Sequence, residues 1–274
     1  MNISTRRFEL KLKHTFTIAK FSRTATPILL LNLSYDGFIG FGEASMVPYM
    51  GENFTTAEDF LNKIDLSWIR YPFDYEAIMA YLDAKAAGHP AIKASIDIAL
   101  HDLHGKIEQL PCYKLFDTDP KKMPATSYTI GIDTLDLVAQ KVIEAGRFHI
   151  LKIKLGREND KKVIETIRSL TNKPLFADAN QGWTDRHKAL DTICWLEEKG
   201  VLLIEQPMSK DDPDSNAWIT ENSPIPIIGD EAVQHLTDVE KSRSVYHGIN
   251  VKLMKSAGMY EARQMILKAR EFGM

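Results

Sequence analysis

Three acidic residues in the second half of the chain are spaced so that they could share one metal ion. Asp178, Glu205 and Asp230 each follow a short apolar run, and they are 27 and 25 residues apart. This spacing is close to one strand–helix unit, so three consecutive parallel strands would bring the carboxylates together at their carboxyl ends. Such carboxylates repel one another unless a hard divalent cation joins them, and oxygen-only ligation is typical of Mg²⁺. The alternative is that each acid only caps the helix after it.

Two lysine positions are placed to act beside these acids. Lys152 and Lys154 alternate within an apolar strand-like run, so both side chains should point to the same side, into a barrel. Lys252 lies within a later apolar run, Ile249–Leu253. Lysine rarely enters a core without a partner, although a solvated strand edge is the alternative for each. In a closed barrel, Lys154 and Lys252 would flank the metal from opposite sides.

The chemistry that needs this arrangement is removal of the proton α to a carboxylate. A divalent cation bound to the carboxylate stabilises the enediolate that forms. The base must be neutral, and the neighbouring positive charges of Lys152 and the metal favour the neutral form of Lys154. A second lysine on the other face could return the proton and invert the centre, whereas a single lysine would suffice for a β-elimination.

The elements that must position these residues fall into two regions. Strand-like runs at Phe8–Leu12, Pro27–Tyr35 and Phe38–Glu43, with helical segments near 56–64, 74–86 and 90–106, predict a small α+β domain over residues 1–122. From residue 123 to 274, strands alternate with helices at roughly 30 residues per unit. The predicted strands are Ser127–Gly131, Ile150–Leu155, Leu175–Asp178, Val201–Glu205, Ile225–Asp230 and Gly248–Leu253.

This alternation predicts an α/β fold of the (β/α)₈ type. A doubly wound sheet is the alternative, but the glycine-rich phosphate loop typical of that fold is missing. Only six units precede the end of the sequence at Met274, so we expect the last barrel strands to be lacking from this chain.

Composition narrows the function classes. The formal net charge is −3 with no basic block, which argues against nucleic acid and membrane partners and leaves a small molecule as the expected partner. Cys112 and Cys194 form no disulfide framework, and the N-terminus lacks the apolar run of a signal peptide, so we expect a cytoplasmic protein. A homo-oligomer is compatible with the sequence.

The motifs together resemble those of the enolase superfamily, in its muconate-lactonizing-like subgroup. The resemblance covers the whole chain, and the matching segments are Lys152-Ile153-Lys154, Asp178-Ala179-Asn180, Glu205-Gln206-Pro207, Asp230-Glu231, Lys252, and Gly42-Glu43-Ala44 in the N-terminal region. Within the subgroup, Thr126–Asp133 and Asn250–Lys255 look most like dipeptide epimerases of the Ala-Glu type. The resemblance implies a capping domain on a modified TIM barrel.

The resemblance also implies residue roles. Lys154 and Lys252 would be the acid/base pair, and Asp178, Glu205 and Asp230 would bind Mg²⁺. Supporting residues would be Lys152, Asn180, Gln206 and Glu231, while Lys255 would be a bystander. Arg23 and Thr129 would contact the substrate, with Arg23 binding the distal carboxylate of a Glu residue.

The loops at 14–26 and 45–54 would set specificity, and Tyr49–Glu52 would form a mobile lid. We therefore expect a Mg²⁺-dependent dipeptide epimerase using two-lysine 1,1-proton transfer. An o-succinylbenzoate synthase, a muconate-type cycloisomerase or an N-acylamino acid racemase would use the same lysines, and a non-catalytic interaction protein is the remote alternative.

Overall fold

The computed structural model describes residues 1–18, 21–46 and 51–274, which divide into two compact units. The first unit contains Met1–Lys13, Ala25–Met123 and Val251–Leu267. The second contains His14–Thr24, Pro124–Asn250 and Lys268–Met274. The described residues at 14–18 and 21–24 therefore belong to the same unit as the acidic strand ends.

A three-stranded sheet begins the chain, with strands β1 (Asn2–Ile18), β2 (Phe21–Tyr35) and β3 (Phe38–Ser45) in that order. β2 and β3 are antiparallel and are joined by Asp36-Gly37, whose φ angles of 47° and 81° are both positive. Two such residues are typical of the tight turns that match the twist of a hairpin. The strand-like runs Pro27–Tyr35 and Phe38–Glu43 predicted from the sequence are therefore paired strands.

Four helices of the first unit follow this sheet: α1 (Phe54–Leu61), α2 (Tyr75–Lys85), α3 (Pro90–Ile107) and α4 (Cys112–Leu115), and a 3₁₀ turn follows at Pro120–Lys122. α3 lies directly on β3. The approach is so close that a Cβ at Gly40 or Gly42 would collide with the carbonyl oxygens of Ala99 and Ser95, respectively. Glycine at these two positions allows the helix backbone to approach the strand. Leu29, Leu31 and Leu33 of β2 are fully buried in the same core.

The second unit contains a six-stranded parallel sheet in which the strands follow their order in the chain. Its strands are β4 (Ser127–Ile130), β5 (Ile150–Lys154), β6 (Leu175–Asp178), β7 (Val201–Glu205), β8 (Ile227–Gly229) and β9 (Gly248–Ile249). The helices are α5 (Leu135–Glu144), α6 (Asp160–Arg168), α7 (Arg186–Glu198), α8 (Pro213–Asn222), α9 (Leu236–Ser242) and α10 (Met259–Glu271), the last shared with the first unit.

Strand alternation separates the two faces of this sheet. Leu151, Ile153, Ala177, Ile204 and Ile227 point to one face and are buried in the core formed with the helices. The residues between them, including both lysines of β5, point to the opposite face. The fold predicted from the sequence is confirmed as an N-terminal α+β unit followed by a parallel, barrel-like α/β sheet.

The predictions for β4 and β5 were one residue too long, and those for β8 and β9 were longer still. β8 covers only Ile227–Gly229, and β9 covers only Gly248–Ile249, so Lys252 lies after the strand rather than within it. The apolar run continues past the strand, but the backbone turns there, since the amides of Lys255 and Ser256 both donate to the carbonyl of Lys252. Among the described residues, we find no helix with the length and apolarity needed to cross a bilayer.

Candidate metal and proton-transfer site

Strand register brings the chemically interesting residues together. Lys154 at the end of β5 is aligned with Asp178 at the end of β6, which is aligned with Glu205 at the end of β7. Asp230 follows directly after β8, the next strand in the sheet. Because all the strands are parallel, these ends lie at one edge of the sheet, as the sequence predicted.

The three acids form one compact and buried cluster. Each offers a carboxylate oxygen, and these oxygens lie within 4.8 Å of one another. Asp178, Glu205 and Asp230 are 0%, 4% and 2% exposed, respectively. Buried carboxylates at this separation require positive charge between or beside them.

The acids do not act as helix caps. α7 is capped by Asp185, whose side chain accepts from the amides of His187 and Lys188, and α8 is capped in the same way by Asp212. α9 begins with a capping box formed by His235 and Asp238. The alternative explanation of the acidic residues is therefore excluded, because other residues fill the capping role.

Two lysines supply positive charge to the cluster. The Nζ of Lys154 lies 2.6 Å from Asp178 Oδ2. The Nζ of Lys152 lies 2.8 Å from the same oxygen and 2.5 Å from Glu205 Oε2. Both lysines thus point toward the acids, as strand alternation predicted, rather than to a solvated edge.

These contacts shift the ionisation of both partners. Burial by itself raises the pKa of Asp178, but the ammonium groups of Lys154 and Lys152 outweigh burial and hold this pKa well below its usual value. Burial lowers the pKa of Lys152, but Asp178 and Glu205 outweigh it and raise that pKa above its usual value. Lys152 therefore remains a fixed cation beside Lys154.

Asn180 and Glu231 lie against the acids. The Asn180 amide N–H donates to Asp178 Oδ1 at 2.9 Å, and its side-chain Nδ2 donates to Glu231 Oε1 at 3.2 Å. Burial, followed by repulsion from Asp230 and Asp178, raises the pKa of Glu231. Asn180 Oδ1 and Glu231 Oε2 are buried without a hydrogen-bond partner in the described part of the chain. These two oxygens are acceptors available to a ligand at the site.

Gln206 and Asn250 also contact the backbone or side chains of the acids. Gln206 is fully buried, and its Oε1 accepts from the Asp230 amide at 2.9 Å. The Nδ2 of Asn250 donates to Glu205 Oε1 at 2.8 Å. Asn250 was not among the site residues predicted from the sequence, although its position two residues before Lys252 in the same motif was a usable signal.

The end of β1 and the start of β2 lie in the same unit as this site. The Ile132 amide donates to the Thr17 carbonyl at 2.9 Å, and His14 Nε2 lies 2.8 Å from Glu144 Oε2. The described part of the predicted 14–26 loop is strand, at 14–18 and 21–26, which corrects the loop assignment. Residues 19 and 20 lie outside the described residues.

Arg23 of β2 has two guanidinium nitrogens without a hydrogen-bond partner among the described residues. Its Nε and Nη1 are buried, and neither has a hydrogen-bond partner within residues 1–18, 21–46 and 51–274. The guanidinium lies 5.7 Å from the centre of the Phe16 ring, a contact that orients it without using its N–H donors. A partly buried arginine with two such donors is suited to a carboxylate.

Other predicted residues have mixed outcomes. Thr129 of β4 is aligned with Lys152, so it lies on the same face of the sheet.

Lys252 and Lys255 fall in the first unit, and their roles stay predictions. Tyr49 and Met50 of the predicted lid lie outside the described residues, whereas Glu52 is buried and accepts from the Ala91 and Ile92 amides at the start of α3.

The donor set suits a hard divalent cation. It consists of carboxylate oxygens alone, it is buried, and its present neutralisation depends on lysine ammonium groups within hydrogen-bond distance. Mg²⁺ prefers such oxygen ligands, and three protein ligands leave coordination positions open for a substrate. Asp178, Glu205 and Asp230 would therefore hold the ion.

Two family descriptions match the chain. Residues 2–116 match the mandelate racemase/muconate lactonizing enzyme N-terminal domain, and residues 134–274 match the enolase C-terminal domain-like family. The chain belongs to the enolase superfamily. The resemblance seen in the sequence is thus confirmed across both halves of this superfamily member.

Individual relatives have more specific names. The chain is 50% identical over 268 residues to an L-Ala-D/L-Glu epimerase of Bacteroides thetaiotaomicron, covering 97% of this chain and 70% of the relative. A dipeptide epimerase from Cytophaga hutchinsonii, complexed with Mg and D-Ala-L-Val, superposes with a TM-score of 0.91 at 28% identity, over 98% of this chain and 76% of that one. A substrate-liganded L-Ala-D/L-Glu epimerase from Bacillus subtilis gives a TM-score of 0.88 at 26% identity, over 100% and 80%.

Proposed function

We propose that this superfamily member is a Mg²⁺-dependent dipeptide epimerase that inverts the C-terminal residue of an Ala-Glu-type dipeptide. The observation that carries the proposal is the buried Asp178–Glu205–Asp230 cluster with Lys154 Nζ at 2.6 Å from Asp178. A metal site and an adjacent lysine base are the two parts that proton transfer next to a carboxylate requires. The names of the similar epimerases support the same reaction class.

The reaction divides between the two lysines. Bound Mg²⁺ would supply the positive charge that stabilises an enediolate at the substrate's carboxylate. Lys154, in its neutral form, takes the α-proton from one face of the substrate. Lys152, whose pKa is raised by the neighbouring Asp178 and Glu205 carboxylates, supplies a positive charge next to Lys154. Lys252 gives a proton to the opposite face, which inverts the centre.

Substrate choice depends on the hairpin. The free donors of Arg23 would bind the side-chain carboxylate of a C-terminal Glu. Thr129, on the sheet face that carries Lys152, would contact the dipeptide near the reacting carbon. An acidic dipeptide would satisfy a guanidinium that the described residues leave unsatisfied.

Isotope exchange tests the reaction itself. The protein is incubated with L-Ala-L-Glu and Mg²⁺ in D₂O, followed by mass spectrometry and chiral analysis of the hydrolysed product. We expect one solvent deuterium at the Glu Cα and formation of D-Glu, both abolished by EDTA and restored by Mg²⁺. Absence of deuterium from every dipeptide in a panel of acidic, basic and apolar C-terminal residues would refute the proposal.

The panel also separates the related reactions. Exchange with N-acyl or N-succinyl amino acids but not with dipeptides would indicate an N-acylamino acid racemase. Loss of water or ring closure in suitable acids, without exchange into dipeptides, would indicate a synthase or cycloisomerase. An unreactive protein that still binds metal would favour the interaction-protein alternative.

A charge-deletion variant tests the substrate class. Arg23→Gln should raise KM for L-Ala-L-Glu by about 10- to 100-fold, since a hydrogen-bonded charge pair contributes roughly 1.5–3 kcal/mol. KM for L-Ala-L-Leu should change by less than about twofold, because that substrate has no distal carboxylate. Arg6→Gln is the matched control for loss of one arginine charge. Arg6 also lies over an aromatic ring, that of Phe8, but it belongs to the first unit. An equal effect on both dipeptides would exclude Arg23 as the acid-specific contact.

A further inference from the structure

Tyr246 is buried next to the metal-site edge of the sheet, although nothing in its sequence position suggested a functional role. It is 4% exposed and lies two residues before β9. Its hydroxyl is 2.8 Å from Gln206 Nε2. Its ring packs on the backbone of Gly229, where a Cβ would come within 2.7 Å of ring atom Cδ2. Gly229 directly precedes the acid Asp230, so the ring of Tyr246 contacts this strand end, while its hydroxyl contacts Gln206 after β7.

Gln206 connects the Tyr246 hydroxyl to Asp230. Its Oε1 accepts from the amides of Asp230 at 2.9 Å and Ala232 at 3.2 Å. Its Nε2 donates to the Met208 carbonyl at 3.2 Å and to Tyr246. Reversing the side-chain amide would direct its NH₂ group at two N–H donors, so the contacts select a single orientation.

The backbone of Gln206 shows that its conformation is imposed by its surroundings. Its φ is +37°, in the left-handed region that non-glycine residues rarely adopt. Such a conformation persists only where neighbouring contacts hold it. The bond from Nε2 to Tyr246 is one of these contacts, and burial raises the pKa of the Tyr246 hydroxyl to about 12, so the group stays neutral and can accept this bond.

We propose that Tyr246 is a positioning residue for Asp230 and that it acts through Gln206. The hydroxyl fixes the amide of Gln206, and that amide fixes the two backbone N–H groups at the start of the loop carrying Asp230. Removing the hydroxyl deletes one of the four hydrogen bonds that orient the Gln206 amide, so the Asp230 carboxylate is held less firmly in its direction toward the other two acids. This inference rests on the metal site and not on which substrate is epimerised.

Metal affinity is the direct measurement. Mn²⁺ binding is followed by electron paramagnetic resonance of the free ion, and Mg²⁺ binding by calorimetry, for the wild-type protein and Tyr246→Phe. We expect the dissociation constant to rise about 10-fold, at the lower end of the 10- to 100-fold range for residues that orient metal ligands. A dissociation constant within twofold of wild type would overturn the proposal.

Tyr75→Phe is the matched control. Tyr75 is a partly buried tyrosine of the first unit whose hydroxyl lies 2.6 Å from His104 Nδ1. Its removal also deletes one buried hydroxyl contact but should leave the metal dissociation constant unchanged. The same loss of affinity in both variants would show a general effect of stability and would contradict a specific role for Tyr246.

Two further measurements keep a destabilised variant informative. The increase in Tm caused by added Mg²⁺ depends on metal affinity, so it should be smaller in Tyr246→Phe whatever the Tm of the metal-free protein. In a double-mutant cycle, Tyr246→Phe should have no additional effect on metal affinity when Gln206→Met is already present. Fully additive losses would exclude action through Gln206. Because neither measurement uses a substrate, a failure of this inference is distinguishable from a failure of the epimerase proposal.

Discussion

The two ends of the parallel sheet in the second unit differ in their charged groups and in their backbone angles. At the carboxyl end, three buried acids lie together, and the neighbouring residues Asn180, Gln181 and Gln206 have φ angles of 45°, 61° and 37°. At the amino end, the Arg168 guanidinium donates to four carbonyls, those of Thr171, Lys173, Lys199 and Gly200. The positive φ at this end, 74°, falls on Gly200, where it costs little.

This difference shows where the protein places charge and strain. The amino end satisfies its polar groups within the protein, which is a contribution to stability. The carboxyl end holds like charges, which Lys152 and Lys154 offset, and backbone angles that non-glycine residues rarely adopt. Substitutions at the two ends should therefore affect different measurable quantities, namely turnover at the carboxyl end and the free energy of unfolding at the amino end.

The largest effect is expected for Asp178→Asn. The change removes one charge from the proposed metal site and breaks the contacts with Lys152 and Lys154. Loss of several kcal/mol of charge stabilisation should lower kcat by on the order of 10⁴-fold. The loss of kcat is measured as turnover of L-Ala-L-Glu at saturating Mg²⁺, and circular dichroism checks that the variant is folded. Turnover within tenfold of wild type would mean that Asp178 is not a metal ligand.

Lys154→Ala should reduce epimerisation by on the order of 10³-fold, because it removes the proposed base. Deuterium exchange from each stereoisomer is measured separately in Lys154→Ala and Lys252→Ala. Each variant should lose deuterium exchange mainly from one stereoisomer of the substrate. The stereoisomer affected in Lys154→Ala should be the opposite of the one affected in Lys252→Ala. If neither substitution matters, the assignment of both bases is wrong.

Arg168→Lys should lower the free energy of unfolding by about 2 kcal/mol, since an ammonium group cannot reproduce the fork of donors to four carbonyls. Turnover at 25 °C should stay within about twofold of wild type, because the substitution lies at the stability end of the sheet. Urea unfolding and turnover are measured on the same preparation. A loss of turnover without a loss of stability would contradict the division between the two ends.

The smallest effect is a pH dependence of the metal-free protein. The pKa of Asp178 is lower in the folded state than its usual value, so the unfolded state binds more protons near pH 4. This stability is present above the unfolded pKa and is lost as pH falls through the folded pKa, at up to about 1 kcal/mol per pH unit. Urea unfolding from pH 6 to 3 should show a shallower decline in Asp178→Asn. Identical slopes would indicate that Asp178 is not held ionised by the two lysines.

Some of the site could be predicted because strand periodicity is a local property. β6 and β7 have the bounds expected from their apolar runs, and each ends at its acid. β9 is shorter than expected because the chain turns at Lys252, and an apolar run alone does not reveal where a backbone turns. The contacts of Arg168 and Tyr246 could not be predicted from local patterns. The partners of Arg168 include the Lys199 carbonyl, 31 residues away, and the partner of Tyr246 is the Gln206 side chain, 40 residues away.

The amino-acid pattern was enough to select the residues that could do chemistry, because acids and lysines recur at the period of the strand–helix unit, and any parallel fold would align them. How these residues act together depends on the packing of separate elements. Register placed Asp178 between Lys154 and Glu205, and packing left Arg23 Nε and Nη1 without a hydrogen-bond partner among the residues that the structure describes. The hydrogen bonds of Gln206 joined Tyr246 to the third acid. These contacts depend on distances and donor directions between separate elements, which periodicity does not encode.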